Sequence, residues 1–323
     1  MIQRGVIYRS LAETPASFGP CAITIGNFDG VHGGHRKILR RVAALAREEG
    51  WKGAALTFDP HPAKLLAPSN APRLLTTLEQ RTRIMLEQGI DQILILPFTL
   101  EVAALSPEEF VREILVDKLG VRAVLVGANF RFGKRAAGDA ATLEQLGERY
   151  SFETDILAPV IWRKRVISSS EIRRLIEAGD VSTACRMLGR PHSLVGAVVH
   201  GEGIGSKQTV PTLNLDTNAE IVPATGVYVT RTRDTAGNHQ REWPSITNIG
   251  YRPTFNGQHR TIETYLLSPL DGAPPDEISV EFLRRVRDER KFESPEALKA
   301  QILRDVGRAQ TYFRRLGEAA ASR

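Results

Sequence analysis

A strand-like apolar run leads directly into a glycine-rich turn and then a helix-like stretch in ITIGNFDGVHGGHRKIL, residues 23–39. Glycine lets the backbone approach a ligand closely, and the free N–H groups of a helix N-terminus attract anions. His32 and His35 flank Gly34 and can donate to charge that develops on a phosphate. The segment predicts a phosphate site; the alternative is that both histidines are ordinary turn residues.

Apolar runs alternate with amphipathic stretches between residue 22 and about residue 157. The runs AITI, GAALTF, QILIL and AVLV indicate parallel strands, and residues 35–50, 79–89 and 107–120 have helical spacing. Ser106 and Glu109 predict a capping box around Pro107, which suits a first helical turn. The first half of the chain is therefore predicted to be an α/β domain with a parallel sheet.

The pattern changes to short β-rich segments from about Ser193. The segments SLVGAVVHG, GVYVTRTRD, SITNIGY, TIETYLL and EISVEFL, separated by turn residues, predict an antiparallel barrel. Residues 294–316 predict a C-terminal helix that packs on it. Residues 171–188 are interpreted as a helical connection with a Gly-Asp break. We expect two domains, 1–186 and 187–323.

Composition limits the class of protein. A chain of 323 residues that is 42% hydrophobic can fill two cores. Cys21 and Cys185 are too few for a disulfide or zinc framework, and no signal peptide or membrane span is evident, so a cytoplasmic protein without membrane contact is expected. A net charge of +6 permits nucleic-acid binding, but scattered arginines and phosphate-bearing substrates explain the charge better.

The octapeptide FDGVHGGH resembles the H-x-G-H signature of α/β nucleotidyltransferases, in the form found in bacterial FAD synthetases. The stretches TFDPHP (57–62), GANFRFGKRAAGD (127–139) and ISSSEIR (167–173) resemble that family's other motifs, in its order. The resemblance implies a Rossmann-like nucleotidyltransferase domain. It also implies the reaction, which is adenylylation of FMN. The FMN phosphate would attack the α-phosphorus of ATP in line, and pyrophosphate would leave without a covalent intermediate.

The same resemblance implies roles for single residues. His32 and His35 would hold the triphosphate, and Asn129 and Arg131 would bind flavin. His61 has a structural turn role or a functional one, with neither preferred. The family often has an acidic residue at position 128 or 129, where this chain has alanine and asparagine. The residues expected to bind ATP and its phosphates are Gly26, Phe28, Asp29, Gly34, Ser169 and Arg173.

A second glycine loop lies in GAVVHGEGIGSKQTVPTLNLD, residues 196–216. Such a loop can cover phosphates, although hairpin turns also use glycine for backbone reasons. The stretch resembles the G-x-G-x-G and P-T-x-N pattern of riboflavin kinases, and GVYVT, TNIGYRPTF and IETYLL follow in family order. The resemblance implies ATP binding by Gly203, Gly205 and Lys207, which follow Gly201, and Mg²⁺ binding by Thr212 and Asn214.

The kinase reaction needs a base, because the 5′-hydroxyl of riboflavin must lose its proton as it attacks the γ-phosphate. The motif position gives this role to Glu263; the alternative is an exposed glutamate on an antiparallel strand. The chain departs from the family at Thr209, Val210 and Tyr265 and near residues 274–276. These departures affect the nucleotide and flavin pockets. They remove neither an expected metal ligand nor the expected base.

Together the resemblances predict a bifunctional riboflavin kinase/FAD synthetase that uses ATP and Mg²⁺ for both steps. It would phosphorylate riboflavin to FMN and adenylylate FMN to FAD, with flavin bound non-covalently. Two alternatives stay open: an FAD synthetase whose barrel is a flavin-binding or regulatory module, and a basic nucleotide-binding protein that acts on RNA. The sequence makes no prediction of oligomeric state.

Overall fold

The computed structural model describes residues 5–199, 212–235, 241–254, 257–270 and 272–321. The chain forms two compact units, Met1–Ser169 and Ser170–Arg323. The boundary between the compact units therefore lies after residue 169, upstream of the domain boundary expected after residue 186. The expected domains 1–186 and 187–323 stay a prediction. Within the described ranges, no helix is both long and apolar enough to cross a membrane.

The first unit contains a six-stranded parallel sheet in the order β1-β4-β3-β2-β5-β6. The four predicted strands are confirmed as β2 to β5, whereas the two edge strands are additions. Edge strands carry fewer buried side chains, so their hydrophobic signal is weak. The strands are β1 Val6–Tyr8, β2 Cys21–Ile25, β3 Lys52–Asp59, β4 Gln92–Pro97, β5 Val121–Gly127 and β6 Glu153–Leu157.

Six helical segments surround this sheet. The predicted capping box is present, since Ser106 N–H donates to Glu109 Oε2 (2.7 Å) and Glu109 N–H donates to Ser106 Oγ (3.2 Å). Beyond this first turn the helix is of the π type, for which the sequence pattern carries no signal. The segments are α1 Gly33–Glu49, α2 Pro62–Leu66, α3 Leu78–Leu86, α4 Leu100–Ala104, α5 Pro107–Glu109 with the π-helix Phe110–Lys118, and α6 Ala140–Tyr150.

Both faces of the sheet are buried, as a parallel sheet requires. Side chains alternate along each strand: in β4, Leu94 faces one core and Ile93 the other. The first core is covered by the π-helix and α6, the second by α1 and α3. A short hairpin, β7 Ile161–Trp162 and β8 Arg165–Val166, ends the unit.

The second unit is a closed antiparallel barrel in the order β10-β13-β12-β11-β14-β9. The predicted barrel and C-terminal helix are confirmed, as is the helical stretch with its break at Gly179 and Asp180. Strand β10 was not predicted, because its segment was interpreted as a loop. The elements are α7 Ser169–Glu177, α8 Val181–Leu188, β9 His192–Val199, β10 Thr212–Asp216, β11 Gly226–Asp234, β12 Glu242–Thr254, β13 Gly257–Leu266, β14 Glu277–Arg287 and α9 Pro295–Ala321.

The barrel interior combines an apolar core with a chain of hydroxyl groups. The hydroxyls bond in the order Thr232, Ser245, Thr230, Thr247, Thr264, with oxygen separations of 2.8, 2.9, 2.8 and 2.9 Å. All five side chains are fully buried. Each hydroxyl can donate and accept, so the chain satisfies itself without water. Outside, Ala309 of α9 packs with apolar side chains of β11 and β12.

Candidate functional site

The glycine loop (residues 26–32) follows β2, and a second loop (residues 128–139) follows β5. β2 and β5 are neighbours in the sheet, but β3 and β4 lie on one side of β2 and β5 on the other. Parallel sheets form ligand crevices outside the carboxyl ends of strands where the order reverses in this way. The topology therefore places both predicted loops of the first site at one switch point.

The backbone of the glycine loop is strained. Phe28 has φ of 47° and Val31 has φ of 38°, beside Gly30 at 77°. A positive φ is unfavourable for residues with a Cβ, above all a β-branched one, and persists only where the surroundings enforce it. The loop therefore depends on contacts with the rest of the unit.

Asp29 supplies one of these contacts. Its side chain is 2% exposed, and Oδ1 accepts from the N–H groups of Leu75 (2.9 Å) and Thr76 (3.2 Å). Gly30 N–H in turn donates to Thr76 Oγ1 at 3.0 Å. The carboxylate thus fastens the glycine loop to the segment that precedes α3, and its expected place at the ATP site stays a prediction.

Arg81 of α3 supplies another contact, which sequence reasoning missed. It is 1% exposed, and Nη1 donates to the Asn27 carbonyl at 2.6 Å. Its Nε is buried and has no hydrogen-bond partner. Burial lowers the pKa of the guanidinium, and the carboxylates of Asp29, Asp59 and Glu79 oppose this effect. Because arginine starts so far above neutrality, Arg81 stays charged.

The two predicted histidines lie together where the glycine loop enters α1. His32 caps the helix by accepting the His35 N–H at Nδ1 (3.4 Å), and the two rings stack at 3.7 Å. A neutral His32 therefore carries its proton on Nε2. A Cβ at Gly34 would lie 3.1 Å from the His32 ring, so glycine leaves room for the stack.

His35 is held neutral by its surroundings. Its ring meets the edge of Phe28 at 5.3 Å, and its Nδ1 is buried without a hydrogen-bond partner. Burial, followed by the nearby His32 and Arg81, lowers the pKa of His35 well below its usual value. At pH 7 His35 is therefore an uncharged imidazole.

Ser169 and Arg173 both lie on α7. Ser169 Oγ donates to the Asp29 carbonyl at 2.9 Å, which brings the third family-like motif to the glycine loop. Arg173 is half-buried and belongs to the second unit. Contact of either residue with ATP phosphates stays a prediction.

The second loop of this site presents Asn129 and Arg131. A Cβ at Gly127 would lie 3.2 Å from Asn129 Oδ1, so glycine gives that amide its space. Phe132 and Gly138 exchange two backbone hydrogen bonds (3.1 and 3.0 Å) that close the loop. Exposed Arg131 pairs with the carboxylate of Asp139 at 3.1 Å. The loop is thus shaped by its own contacts, and flavin binding by it stays a prediction.

In the barrel, register brings the predicted kinase residues together. Glu263 on β13 lies directly opposite Asn214 on β10 and opposite Asn248 on β12. Directly opposite residues of antiparallel strands share a face. The neighbouring row, Leu213, Thr264 and Thr247, is buried inside, so the row of Glu263 faces outward. Sequence reasoning missed Asn248, although it lies in the quoted segment TNIGYRPTF.

Thr212 and Asn214 fit a magnesium site by their chemistry. They are two positions apart on β10 and so share the outer face. Thr212 Oγ1 is buried without a hydrogen-bond partner, which leaves an oxygen available to a ligand. No group of three or more His, Cys, Asp or Glu residues suited to a metal occurs in the described part of the chain. A hydroxyl and an amide oxygen suit Mg²⁺ that takes its other ligands from phosphates and water.

Glu289, which follows β14, reaches the same face. A Cβ at Gly250 would collide with the Glu289 carboxylate and would lie 3.4 Å from Asn248 Nδ2. Glycine at position 250 therefore lets a second carboxylate come close to the row of Glu263. No sequence signal distinguished Glu289 from the other charged residues around it.

Several predicted kinase residues cannot be placed. Gly201, Gly203, Gly205 and Lys207 lie outside the described residues, as do the departures at Thr209 and Val210. Tyr265 is described, and it packs against the cluster between α9 and the barrel. Of the residues predicted for the kinase site, the structure describes Thr212, Asn214 and Glu263.

Comparison with known proteins assigns each unit a family. The FAD synthetase model matches residues 14–171, and the riboflavin kinase model matches residues 188–313. Bifunctional riboflavin kinase/FMN adenylyltransferase of Escherichia coli K12 is 34% identical over 310 residues, 96% of this chain and 97% of that protein. The protein of the same name in Pseudomonas fluorescens is 37% identical over 291 residues, 90% and 92% of the two chains.

A solved structure shares the fold of the whole chain. A Streptococcus pneumoniae crystal structure titled as a macrolide-efflux protein has a TM-score of 0.84. It covers 95% of this chain and 99% of its own, at 24% identity. The order of parallel sheet and barrel therefore occurs in another protein of nearly the same extent.

Proposed function

The chain belongs to the family of bifunctional riboflavin kinases/FMN adenylyltransferases, and we propose that the second unit makes FMN from riboflavin and the first makes FAD from that FMN. The observation that carries this proposal is the pair of family matches, one on each compact unit. ATP is the co-substrate of both steps, and flavin is substrate and product. The enzyme is thus a phosphotransferase and a nucleotidyltransferase.

In the first unit, transfer of the adenylyl group depends on position and charge. A phosphate oxygen of FMN attacks the α-phosphorus of ATP, and the bond to the β-phosphate oxygen breaks as pyrophosphate leaves. His32 Nε2–H and the N-terminus of α1 would donate to the oxygens that gain charge. His35, stacked on His32, would act from the same side.

FMN would be held by the loop after β5. Asn129 would donate from its amide, and the guanidinium of Arg131 would bind the FMN phosphate in exchange for its exposed partner Asp139. Ser169, bonded to the Asp29 carbonyl, would fix the glycine loop while Arg173 binds the triphosphate. These roles are supported by the location of both loops at the switch point of the sheet.

In the second unit, Glu263 would accept the proton of the riboflavin 5′-hydroxyl as that oxygen attacks the γ-phosphorus of ATP. Thr212 and Asn214 would hold Mg²⁺, which when bound neutralises the charge of the phosphates. The shared outer face supports this arrangement, because Asn214 lies opposite Glu263 and Thr212 lies two positions away on the same face of β10. Gly203, Gly205 and Lys207 would cover the nucleotide.

Paired assays test the proposal. The purified protein is incubated with ATP and Mg²⁺, plus riboflavin in one tube and FMN in the other, and the flavins are separated chromatographically. We expect FMN and FAD in the first tube and FAD in the second. FAD in the second tube alone would leave the barrel as a binding or regulatory module. Flavin product in neither tube, with tight salt-sensitive RNA binding, would favour an RNA-directed protein.

A further inference from the structure

Arg81 is the largest side chain that is fully buried in the described residues. Burial of a charge is costly unless its partners compensate, and an apolar residue of similar volume often stabilises a protein as well or better. Arg81 Nη1 donates to the Asn27 carbonyl, yet Nε is left without a hydrogen bond. Its charge interacts favourably with the carboxylates of Asp29, Asp59 and Glu79, and Asp29 is itself buried in the glycine loop. Arg81 is thus linked to this loop by charge as well as by a hydrogen bond.

The contacts of Arg81 lie under the glycine loop. Asn27 immediately precedes Phe28, the first residue of that loop with a positive φ. The start of α3 is itself bound to the loop, because Thr77 caps the helix and Thr76 N–H donates to Asp29. Arg81 is thus fixed relative to the turn that leads to His32 and His35.

We propose that Arg81 is a positioning residue for adenylyl transfer, which holds the Asn27 carbonyl and with it the turn that leads to His32 and His35. The inference rests on the proposed function of the first unit, because it concerns the same transfer step. Arg81 touches no substrate in this proposal; it acts by fixing the glycine loop.

The charge has a specific consequence for His35. Among the described residues, the charged or titratable groups that act on its ring are His32 from the glycine loop and Arg81 from α3. Burial contributes most to the low pKa of His35, and the positive charge of Arg81 adds to this effect. Protonation of His35, whose ring stacks on His32 at 3.7 Å, is therefore opposed by Arg81 as well as by burial.

Two variants test the contact. Arg81→Met removes the charge and the donor, whereas Arg81→Lys keeps the charge and a donor of nearly the same reach for the Asn27 carbonyl. Arg83→Met, on the exposed side of the same helix, is the matched control. For each, kcat and KM of FAD formation are measured, with FMN formation as an internal control.

We expect Arg81→Met to lower kcat for FAD formation about 100-fold, as misplacement of reacting groups does. Arg81→Lys should recover most of this loss, because it keeps a charged donor for the Asn27 carbonyl. KM for FMN should change little in both variants, and Arg83→Met should keep the kcat of the wild type. FMN formation should be unchanged in every variant.

A merely less stable Arg81→Met with kcat within about 3-fold of wild type would overturn the proposal, and so would an Arg81→Lys enzyme that is as impaired as Arg81→Met. If Arg81→Met does not fold, Arg81→Gln takes its place, because its shorter amide does not reach the Asn27 carbonyl. Absence of FAD formation in the wild type would instead contradict the proposed function.

Discussion

The two units hold their candidate sites in different ways. In the first, a strained loop is fastened by side chains distant in sequence: Asp29 to residues 75–76, Arg81 to Asn27, and Ser169 to Asp29. In the second, Asn214, Glu263 and Asn248 lie side by side because the strands pair in that register. The first site is thus maintained by side-chain contacts and the second by backbone pairing.

This difference predicts where mutations do harm. A change to a side chain that fastens the glycine loop should alter catalysis without touching substrate, because the strained φ values rest on those contacts. A change on the barrel should act either directly on the outward row or on stability. The following predictions test this contrast.

The largest effects are expected from two substitutions that each remove one of the two activities. His35→Ala removes a ring of the stacked pair and should reduce FAD formation at least about 1000-fold, as loss of key charge-stabilising groups does. Glu263→Gln removes the base and should reduce FMN formation to a similar degree. Each variant should retain the other activity in the paired assays.

The control for Glu263→Gln is Glu277→Gln, an exposed glutamate at the start of β14. It should retain both activities. Loss of both activities from His35→Ala or Glu263→Gln in a folded protein would show that the two sites are not separate.

The sequence supplies candidates for the site residues but not for the residues that support them. His32, His35 and Glu263 belong to local motifs, and the alternation of apolar runs predicted β2 to β5 and most of the barrel. Arg81 is 54 positions from Asn27, and nothing local marks it as buried. Asn248 becomes a neighbour of Glu263 only through register, and β10 is a strand because it pairs with β9 and β13. Such long-range pairing leaves no periodic signal in a short polar segment.

Acid should destabilise the barrel through His192, by about 3 kcal/mol. Burial lowers its pKa to about 4, although its bond to the Ile221 carbonyl opposes this. The unfolded chain binds a proton below about pH 6.5 and the folded barrel does not, so stability is complete above that pH and falls toward pH 4. Denaturant unfolding at each pH, followed by the fluorescence of buried Trp243, measures the loss.

Two features sharpen this measurement. Trp51→Phe and Trp162→Phe in the background leave Trp243 as the only tryptophan, since the chain has three. His192→Gln keeps a donor for the carbonyl but does not titrate, so its stability should depend less on pH between about 6.5 and 4. Equal pH dependence in both proteins would exclude His192 as the cause.

Asp29→Asn should weaken the support of the glycine loop by about 2 kcal/mol. The amide keeps one acceptor oxygen for Leu75 and Thr76, but it places an N–H group at the position of Oδ2, which lies 3.2 Å from the Leu75 nitrogen. We expect FAD formation to fall about 30-fold as the loop relaxes, with FMN formation unchanged. Asp155→Asn, which removes an exposed partner of Arg41, is the control. An Asp29→Asn enzyme with normal FAD formation would show that the loop keeps its shape without this contact.

The smallest effect is expected from a substitution that tests whether backbone pairing alone holds the row of Glu263 in place. Thr247 bonds to Thr230 and Thr264 inside the barrel, directly beside the outward row. Thr247→Val keeps the volume and leaves both partners short of one hydrogen bond, which should cost about 1 to 2 kcal/mol of barrel stability.

Thr261→Val on the outer face of β13 is the matched control, because that side chain is only half-buried. If register fixes the row, FMN formation in Thr247→Val should stay within about 3-fold of wild type at temperatures where the barrel is folded, because the strand ladder still places Glu263 opposite Asn214. A loss of FMN formation as large as that in Glu263→Gln would mean that the buried hydroxyls also position the base. Both sites would then depend on side-chain contacts behind the reacting groups, in the barrel as in the loop.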